Sequence, residues 1–163
     1  MALRRFADVS VGEELPERVV KLTRGDLVNY AGVSGDPNPI HWSDEVVKLA
    51  GLDNVIAHGM LTMGLGAGFV TSWLGDPGAV TEYNVRFTSS VYVPADSAAS
   101  VEFAGKVKSV DPDSKSAVIA IIAKSEGKKI FGHMRILFRH CLAQCSALSN
   151  HPLCTANVPW RSD

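Results

Sequence analysis

Residues 60–74 read Met-Leu-Thr-Met-Gly-Leu-Gly-Ala-Gly-Phe-Val-Thr-Ser-Trp-Leu, and none of these side chains is charged. A surface helix normally keeps one polar face, which usually carries charged side chains. A helix formed by this stretch would have no charged face. Glycines at 64, 66 and 68 lower its helix propensity, but they let a neighbouring sheet approach closely. We therefore expect a helix that is buried on nearly every side and forms the centre of the fold.

Strand-like runs follow this helix. They cover residues 80–93, 99–110, 117–124 and 129–138, and residues typical of turns separate them. Consecutive strands with short connections favour antiparallel pairing. Since only one helix is apolar enough to lie under such a sheet, the sequence predicts an α+β fold in which a curved antiparallel sheet wraps around one buried helix.

Two shorter helices are expected before the central one. Thr23 followed three residues later by Asp26 is a typical helix start, and apolar residues follow it. Ser43 is expected to cap a second helix that closes at Gly51. Between them lies a stretch so rich in turn-forming residues that it must be a loop.

Length, charge and hydropathy exclude several classes of protein. The chain has 163 residues, which suits one domain, and its formal net charge is −1. It therefore lacks the basic surface expected of a protein that binds nucleic acid or an anionic membrane. No apolar run is long enough for a membrane span, and the first eight residues lack the apolar region of a secretory signal. We expect a cytoplasmic protein without disulfides.

The last part of the chain differs in composition from the rest. From residue 133 onward there are three arginines and one aspartate, but no lysine and no glutamate. We assign residues 1–138 to one domain, whose last strand ends with residues 133–138, and residues 139–163 to an atypical tail. This tail is expected to be disordered or non-native, as an out-of-frame or vector-derived end would be. Its potential metal ligands match structural zinc spacings poorly, so no metal is expected: His140, Cys141, Cys145, His151 and Cys154.

The loop Ser34-Gly35-Asp36-Pro37-Asn38-Pro39-Ile40-His41 carries the first candidate functional residues. Each proline restricts the residue before it, so Asp36 and Asn38 are both held extended. A preorganised carboxylate and imidazole suit general acid–base catalysis. Alternatively, Asp36 only closes an Asx turn and His41 is a buried, hydrogen-bonded histidine. The spacing alone leaves both interpretations open.

A second candidate lies where the central helix begins. Gly59 follows Ala57-His58, so its N–H is one of the free donors at a helix N-terminus. Such a group is suited to stabilising an oxyanion. The alternative is that Gly59 only gives the backbone room to turn and that His58 is only a structural hydrogen-bonding residue. The oxyanion role also depends on catalysis by Asp36 and His41.

These motifs resemble those of a known family. The pattern Tyr-x(3)-Ser-Gly-Asp-x-Asn-Pro-Ile-His, matched by residues 30–41, is similar to the signature of the MaoC-like (R)-specific enoyl-thioester hydratases. Residues 57–60 and 83–87 also match, and the resemblance covers about residues 5 to 132. Within the family, residues 27–36, 58–64 and 75–88 look most like the catalytic subunit of two-subunit (3R)-hydroxyacyl-acyl-carrier-protein dehydratases.

The resemblance implies a hot-dog fold and a lyase activity. The expected reaction is reversible syn elimination of water from a (3R)-hydroxyacyl thioester, on acyl carrier protein or coenzyme A, without a cofactor or metal. Asp36 would handle the 3-hydroxyl or water, and His41 the proton at C2. The Gly59 N–H would stabilise the thioester oxygen, and Asn38 would orient the loop. Trp42 is expected to pack in the core or to line an acyl channel, as is Trp73.

The resemblance and the exposed sheet edge of a single hot-dog unit imply a partner subunit. A heterodimer with a separate substrate-binding subunit is preferred to a homodimer. Two other functions were weighed against the dehydratase. A hot-dog thioesterase commonly uses a carboxylate on the central helix, and residues 60–74 contain none. A non-catalytic subunit that only shapes a partner's acyl channel would not need both Asp36 and His41.

Overall fold

The computed structural model describes residues 3–139 of the chain. The predictions made above for residues 140–163, including the potential zinc ligands, therefore lie outside the described residues. Nine helices and strands, joined by short 3₁₀ turns, make up the described part. In chain order they are β1 (Glu14–Leu22), α1 (Arg24–Ser34), α2 (Asp44–Leu49), α3 (Gly59–Leu74), β2 (Val80–Phe87), β3 (Ala99–Asp111), β4 (Ser116–Ser125), β5 (Lys128–Lys129) and β6 (Phe131–Arg139).

The strands form one antiparallel sheet in the order β1-β3-β4-β6-β2, with the short β5 paired to β4. This sheet and α3 confirm the α+β hot-dog fold. The prediction of one strand over 80–93 was wrong at its end, because β2 stops at Phe87. Strand β2 pairs with β6 rather than β3, so residues 88–98 must cross the sheet instead of forming a tight turn.

Helix α3 is less buried than its uncharged sequence predicted. Its buried residues, Thr62, Gly66, Phe69, Val70 and Leu74, form one face, whereas Met60 and Gly64 are exposed. The sheet covers only one side of the helix, and this leaves the opposite side more open.

Of the glycines at 64, 66 and 68, only Gly66 makes the predicted close approach. A Cβ at Gly66 would collide with the methyl group of Met134 and lie 2.8 Å from Tyr83 Oη. A Cβ at Gly64 or Gly68 would meet nothing within 4 Å. Among these three glycines, the close approach to the sheet is therefore confined to Gly66.

The two shorter helices begin where the sequence predicted. Thr23 and Asp26 form a reciprocal capping box at the start of α1. Ser43 caps α2 by accepting a hydrogen bond from the Val46 N–H. Gly35 ends α1 in the left-handed conformation, at φ 70°, which favours glycine. This C-cap turns the chain directly into the loop that begins with Asp36.

Arg24 joins the segments around that loop. Its Nε donates a hydrogen bond of 2.6 Å to the carbonyl of Val93, in the segment that crosses the sheet. Its Nη2 lies 2.9 Å from both Asp44 Oδ1 at the start of α2 and Asn54 Oδ1. One largely buried guanidinium thus connects α1, α2 and the crossing segment, and it holds the candidate site in a defined position.

The tryptophans and the last strand test two further predictions. Trp42 is 52% exposed and donates to the Pro37 carbonyl, so the core position predicted for it was wrong. Trp73 is partly buried against Phe138. Residues 133–138 lie in β6, the last strand, as predicted, and Met134, Ile136 and Phe138 are buried there. Within residues 3–139, no helix is long and apolar enough to cross a membrane.

Candidate active site

The loop after α1 is closed by hydrogen bonds between its own side chains and backbone. Asp36 Oδ1 accepts from the Asn38 N–H at 3.3 Å, and Asn38 Oδ1 accepts from the Ile40 N–H at 3.2 Å. The Asx turn that was weighed as an alternative for Asp36 is therefore present. It uses only one carboxylate oxygen, and the side chain remains half exposed. Turn closure and a chemical role of Asp36 are compatible.

His41 ends a 3₁₀ turn, and its side chain is almost completely buried. Its Nδ1 lies 2.7 Å from the carbonyl of Ile56, which can only accept a hydrogen bond, so Nδ1 carries the proton. In the neutral ring, Nε2 is then unprotonated. This atom lies 3.8 Å from Asp36 Oδ2. The gap is too long for a direct hydrogen bond, but both groups can contact one small molecule between them.

Gly59 lies beside this pair, as the first residue of α3. Its N–H has no acceptor within the helix. Gly59 and His41 both line a cleft of about 270 Å³. A Cβ at Gly59 would lie 3.2 Å from Cε1 of Phe87, so a side chain there would press against this ring. The structure thus places His41 and Gly59 at one cleft, and Asp36 lies next to His41.

The opposite wall of the cleft comes from residues 87–91. It combines the exposed ring of Phe87 with the hydroxyl-bearing residues Thr88, Ser89 and Ser90. The sequence analysis missed this wall because it assigned these residues to a continuous strand. The run of three hydroxyl residues after Phe87 was the available signal that the strand ends there.

Thr62 is a second residue that the sequence analysis missed. Its hydroxyl donates to the Gly59 carbonyl at 2.7 Å, and the side chain is buried at the base of the cleft. This bond fixes the first turn of α3 and therefore the direction of its free N–H groups. A hydroxyl residue three positions after Gly59 was the signal.

His58 belongs to the same cluster. It is 2% exposed, and its ring stacks on that of His41 with centroids 3.6 Å apart and planes 22° apart. Its Nε2 lies 3.3 Å from the backbone carbonyl of Asp36. Burial lowers the pKa of His58, and a charge on His41 would lower it further. The predicted hydrogen-bonding role is present, together with a direct contact to the candidate catalytic ring.

Asp36, His41 and His58 also resemble a set of metal ligands, since their ligand atoms lie within 4.8 Å of one another. Their geometry suits a metal poorly. A histidine nitrogen binds a metal along its ring plane, and two nearly parallel stacked rings direct these lone pairs side by side rather than to one point. His41 Nδ1 is already bonded to Ile56. The set is better suited to proton transfer.

Comparison with known proteins gives matches over most of the chain. Residues 7–125 match the family model described as MaoC like domain. The chain is 38% identical over 80 residues to 3-hydroxyacyl-thioester dehydratase X of Mycobacterium tuberculosis, covering 49% of this chain and 28% of that protein. It is 27% identical over 135 residues to an (R)-specific enoyl-CoA hydratase of Rhodospirillum rubrum, covering 80% of this chain and 88% of that protein.

Solved structures give the same result. A MaoC-like dehydratase is 58% identical, with a TM-score of 0.81, over 82% of this chain and 41% of that one. The C-terminally truncated HadBC (3R-hydroxyacyl-ACP dehydratase) complex of M. tuberculosis has a TM-score of 0.62 at 15% identity, over 78% of this chain and 96% of that one. At this identity the likeness shows the fold alone. This chain spans less than two thirds of the first curated relatives that it matches.

Proposed function

This chain belongs to the MaoC-like domain family, and on that basis we propose that it catalyses the reversible dehydration of (3R)-hydroxyacyl thioesters to trans-2-enoyl thioesters. The observation that carries the proposal is the position of Asp36 Oδ2, 3.8 Å from the unprotonated Nε2 of His41, beside the free N–H of Gly59. His41 and Gly59 supply a base and an oxyanion donor at one cleft, and Asp36 supplies a carboxyl next to His41.

In the dehydration direction, His41 Nε2 removes the proton from C2 of the acyl chain. The electron pair left at C2 is delocalised onto the thioester oxygen, which the Gly59 N–H stabilises. The C3–O bond then breaks, and the protonated carboxyl of Asp36 gives its proton to the leaving hydroxyl, which departs as water. The enzyme is left with a protonated His41 and an ionised Asp36. Hydration reverses each step, and both transfers occur on one face of the substrate because the two groups are only 3.8 Å apart.

The residues around the pair support this assignment. Asn38 fixes the loop by accepting a hydrogen bond from the Ile40 N–H. Phe87 offers an apolar surface beside Gly59, where the first carbons of an acyl chain would lie. The relatives act on thioesters of acyl carrier protein or of coenzyme A, and either carrier is compatible with an open cleft. By analogy with the two-subunit dehydratases, we assign the reaction to fatty-acid elongation of the kind that makes mycolic acids, and we expect it to take place in the cytoplasm.

A partner subunit is the second part of the proposal. Strands β1 and β2 are the two edges of the sheet, and β2 carries Phe87 at the mouth of the cleft. An unpaired edge strand is normally covered. The 58% identical structure is more than twice as long as its match here, and HadBC is a complex of subunits. We therefore propose that a second hot-dog unit completes the substrate groove, preferably as a heterodimer.

The proposal is tested by following the loss of the enoyl chromophore after trans-2-enoyl-CoA, or the corresponding acyl-carrier-protein thioester, is added. Wild type, Asp36→Asn and His41→Gln are assayed with and without the candidate partner subunit. Asp113→Asn is the matched control, because Asp113 is an exposed carboxylate in the β3–β4 turn. We expect a (3R)-hydroxyacyl product that depends on Asp36 and His41 but not on Asp113. No turnover by the folded protein in any combination would instead favour a non-catalytic subunit, and release of free thiol would favour a thioesterase.

A further inference from the structure

His58 is the least explained polar group near the cleft. Its side chain is 2% exposed, and its buried Nδ1 has no hydrogen-bond partner among residues 3–139. The ring makes three other contacts, each with a polar group. It stacks on His41, meets the edge of Tyr30 at 4.9 Å between centroids, and directs Nε2 toward the Asp36 carbonyl.

The partner of Nε2 determines where the proton of His58 lies. A backbone carbonyl only accepts, so Nε2 must donate to the Asp36 carbonyl, and Nδ1 is then unprotonated in the neutral ring. A second proton would have to sit on Nδ1, where a buried N–H would find no acceptor. An unsatisfied buried donor is costly, and so is a buried charge. His58 is therefore held neutral, as a single tautomer.

We propose that His58 is a positioning residue: a permanently neutral ring that holds the imidazole of His41 by stacking and the backbone of Asp36 by a hydrogen bond. One side chain thereby sets the 3.8 Å separation between Asp36 Oδ2 and His41 Nε2. Its kinetic consequence rests on the proposed dehydratase function, whereas its geometry does not.

The neutrality of His58 is important because of its neighbours. The titratable groups that face it are His41, Asp36 and Tyr30. When His41 holds the proton taken from C2, a second cation 3.6 Å away would repel it strongly in a buried site. Burial lowers the pKa of His58, so at most one ring of the stacked pair is charged at any step.

Two variants separate the two contacts of His58. His58→Gln keeps an amide donor near the Nε2 position but removes the ring, whereas His58→Phe keeps a ring to stack but removes the donor. We expect each to lower kcat by about 10- to 100-fold with little change in KM, since small misplacements of reacting groups cost this much. Unchanged kcat in both folded variants would overturn the proposal, as would a loss confined to KM.

A measurement that needs no activity tests the same geometry. Long-range ¹H–¹⁵N spectra of protein labelled at histidine report the tautomer and charge of each ring. We expect His58 to keep Nε2–H and an unprotonated Nδ1 from about pH 8 to about pH 5.5, across the range in which an ordinary histidine titrates. His41 ring protons should shift in His58→Gln, which loses the stacked ring, and much less in His58→Phe.

An ordinary titration of His58, or the opposite tautomer, would overturn the proposal whatever the protein catalyses. If the spectra show a neutral, stacked His58 but no enoyl thioester is ever hydrated, the proposed function fails while the positioning geometry stands. The two failures are therefore distinguishable.

Discussion

The two ends of α3 are built for different purposes. At its N-terminal end, His58 makes no capping hydrogen bond through its side chain, and Gly59 opens onto the cleft. At its C-terminal end, Gly75 adopts φ 74° and donates to the Thr71 carbonyl at 2.9 Å. The Leu74 carbonyl there accepts from the Arg4 N–H, also at 2.9 Å, and the Leu74 side chain is buried.

This difference shows that the two ends of one helix can have different roles. Every helix has free N–H groups at its start and free carbonyl groups at its end, and a fold that only maximised stability would satisfy both. Here two carbonyls at the end, those of Thr71 and Leu74, have partners within the chain, while Gly59 at the start lies at the cleft. Stability is therefore expected to depend on the C-terminal end and chemistry on the N-terminal end.

The largest expected effect lies at the N-terminal end. Asp36→Asn removes the proton-transferring carboxyl but keeps an acceptor for the Asn38 N–H, so kcat/KM should fall by about 10²- to 10⁴-fold. Because Asp36 is half exposed, the melting temperature should stay close to that of wild type. Enzyme kinetics and calorimetry on the same preparation measure both. A loss of activity that merely follows a loss of folded protein would contradict the division between the two ends.

The converse variant lies at the C-terminal end. Leu74→Ala creates a cavity in the core and should lower the free energy of unfolding by about 2 to 5 kcal/mol. The kcat of the remaining folded protein should stay near the wild-type value. Leu49→Ala is the matched control, because Leu49 is 84% exposed at the end of α2. Urea unfolding measures the difference, and an equal effect of both substitutions would contradict the burial-based argument.

Substitutions in the middle of α3 should change the stability of the fold by a smaller amount, and the sign of the change should depend on the position. Gly66→Ala places a methyl group against Met134 and Tyr83, so overpacking should destabilise the fold by about 1 to 3 kcal/mol. Gly64→Ala adds the same methyl group in open space and should stabilise the helix by about 0.5 to 1 kcal/mol. Thermal unfolding of the two variants compares them directly. Two changes of the same sign would show that the sheet does not approach α3 most closely at Gly66.

The smallest expected effect is a pH dependence of stability that arises at the N-terminal end of α3. The pKa of His58 is lowered by burial, so the unfolded chain binds more protons than the folded protein just below the ordinary histidine pKa of about 6.5. The stability that His58 contributes is complete above that pH and is lost as the pH falls toward its lowered pKa. Urea unfolding at about pH 7.5 and about pH 5.5 should show this loss in wild type.

His58→Gln is the control for this pH dependence, since its stability should change less over the same interval. Carboxyls whose pKa values are lowered by hydrogen bonds, such as Asp26 and Asp44, act at lower pH, below about 4, and do not interfere. An identical pH response of wild type and His58→Gln would contradict the assignment to His58.

Local patterns in the sequence were enough to predict the helices and the loop of the site. Thr23, Ser43 and Gly35 act through neighbours a few residues away, and the two prolines restrict the residues that precede them. These effects depend on covalent geometry and on hydrogen bonds between residues close in sequence, so they can be predicted from the sequence alone. The alternation in β6 likewise predicted its buried face.

Relations between distant segments could not be predicted in this way. Nothing near Phe87 indicates that β2 pairs with β6, because hydrogen bonds between strands are made by the backbone and carry little sequence signal. The stacking of His58 on His41 joins residues 17 positions apart, which periodicity cannot show. For the same reason Trp42, which looked like a core residue, is exposed at the end of its loop.

The strand order also sets the sequence of events during synthesis on the ribosome. Phe87 pairs with Phe131, and Val80 with Phe138, so β2 leaves the exit tunnel well before β6, its neighbour in the sheet. At about 5 to 20 residues per second, the nascent chain holds β2 and the adjacent face of α3 uncovered for several seconds. Pairing across such a distance in sequence is also intrinsically slow. The chain thus passes through a period in which its helix has no complete sheet to pack against, and chaperones have the greatest opportunity to bind it then.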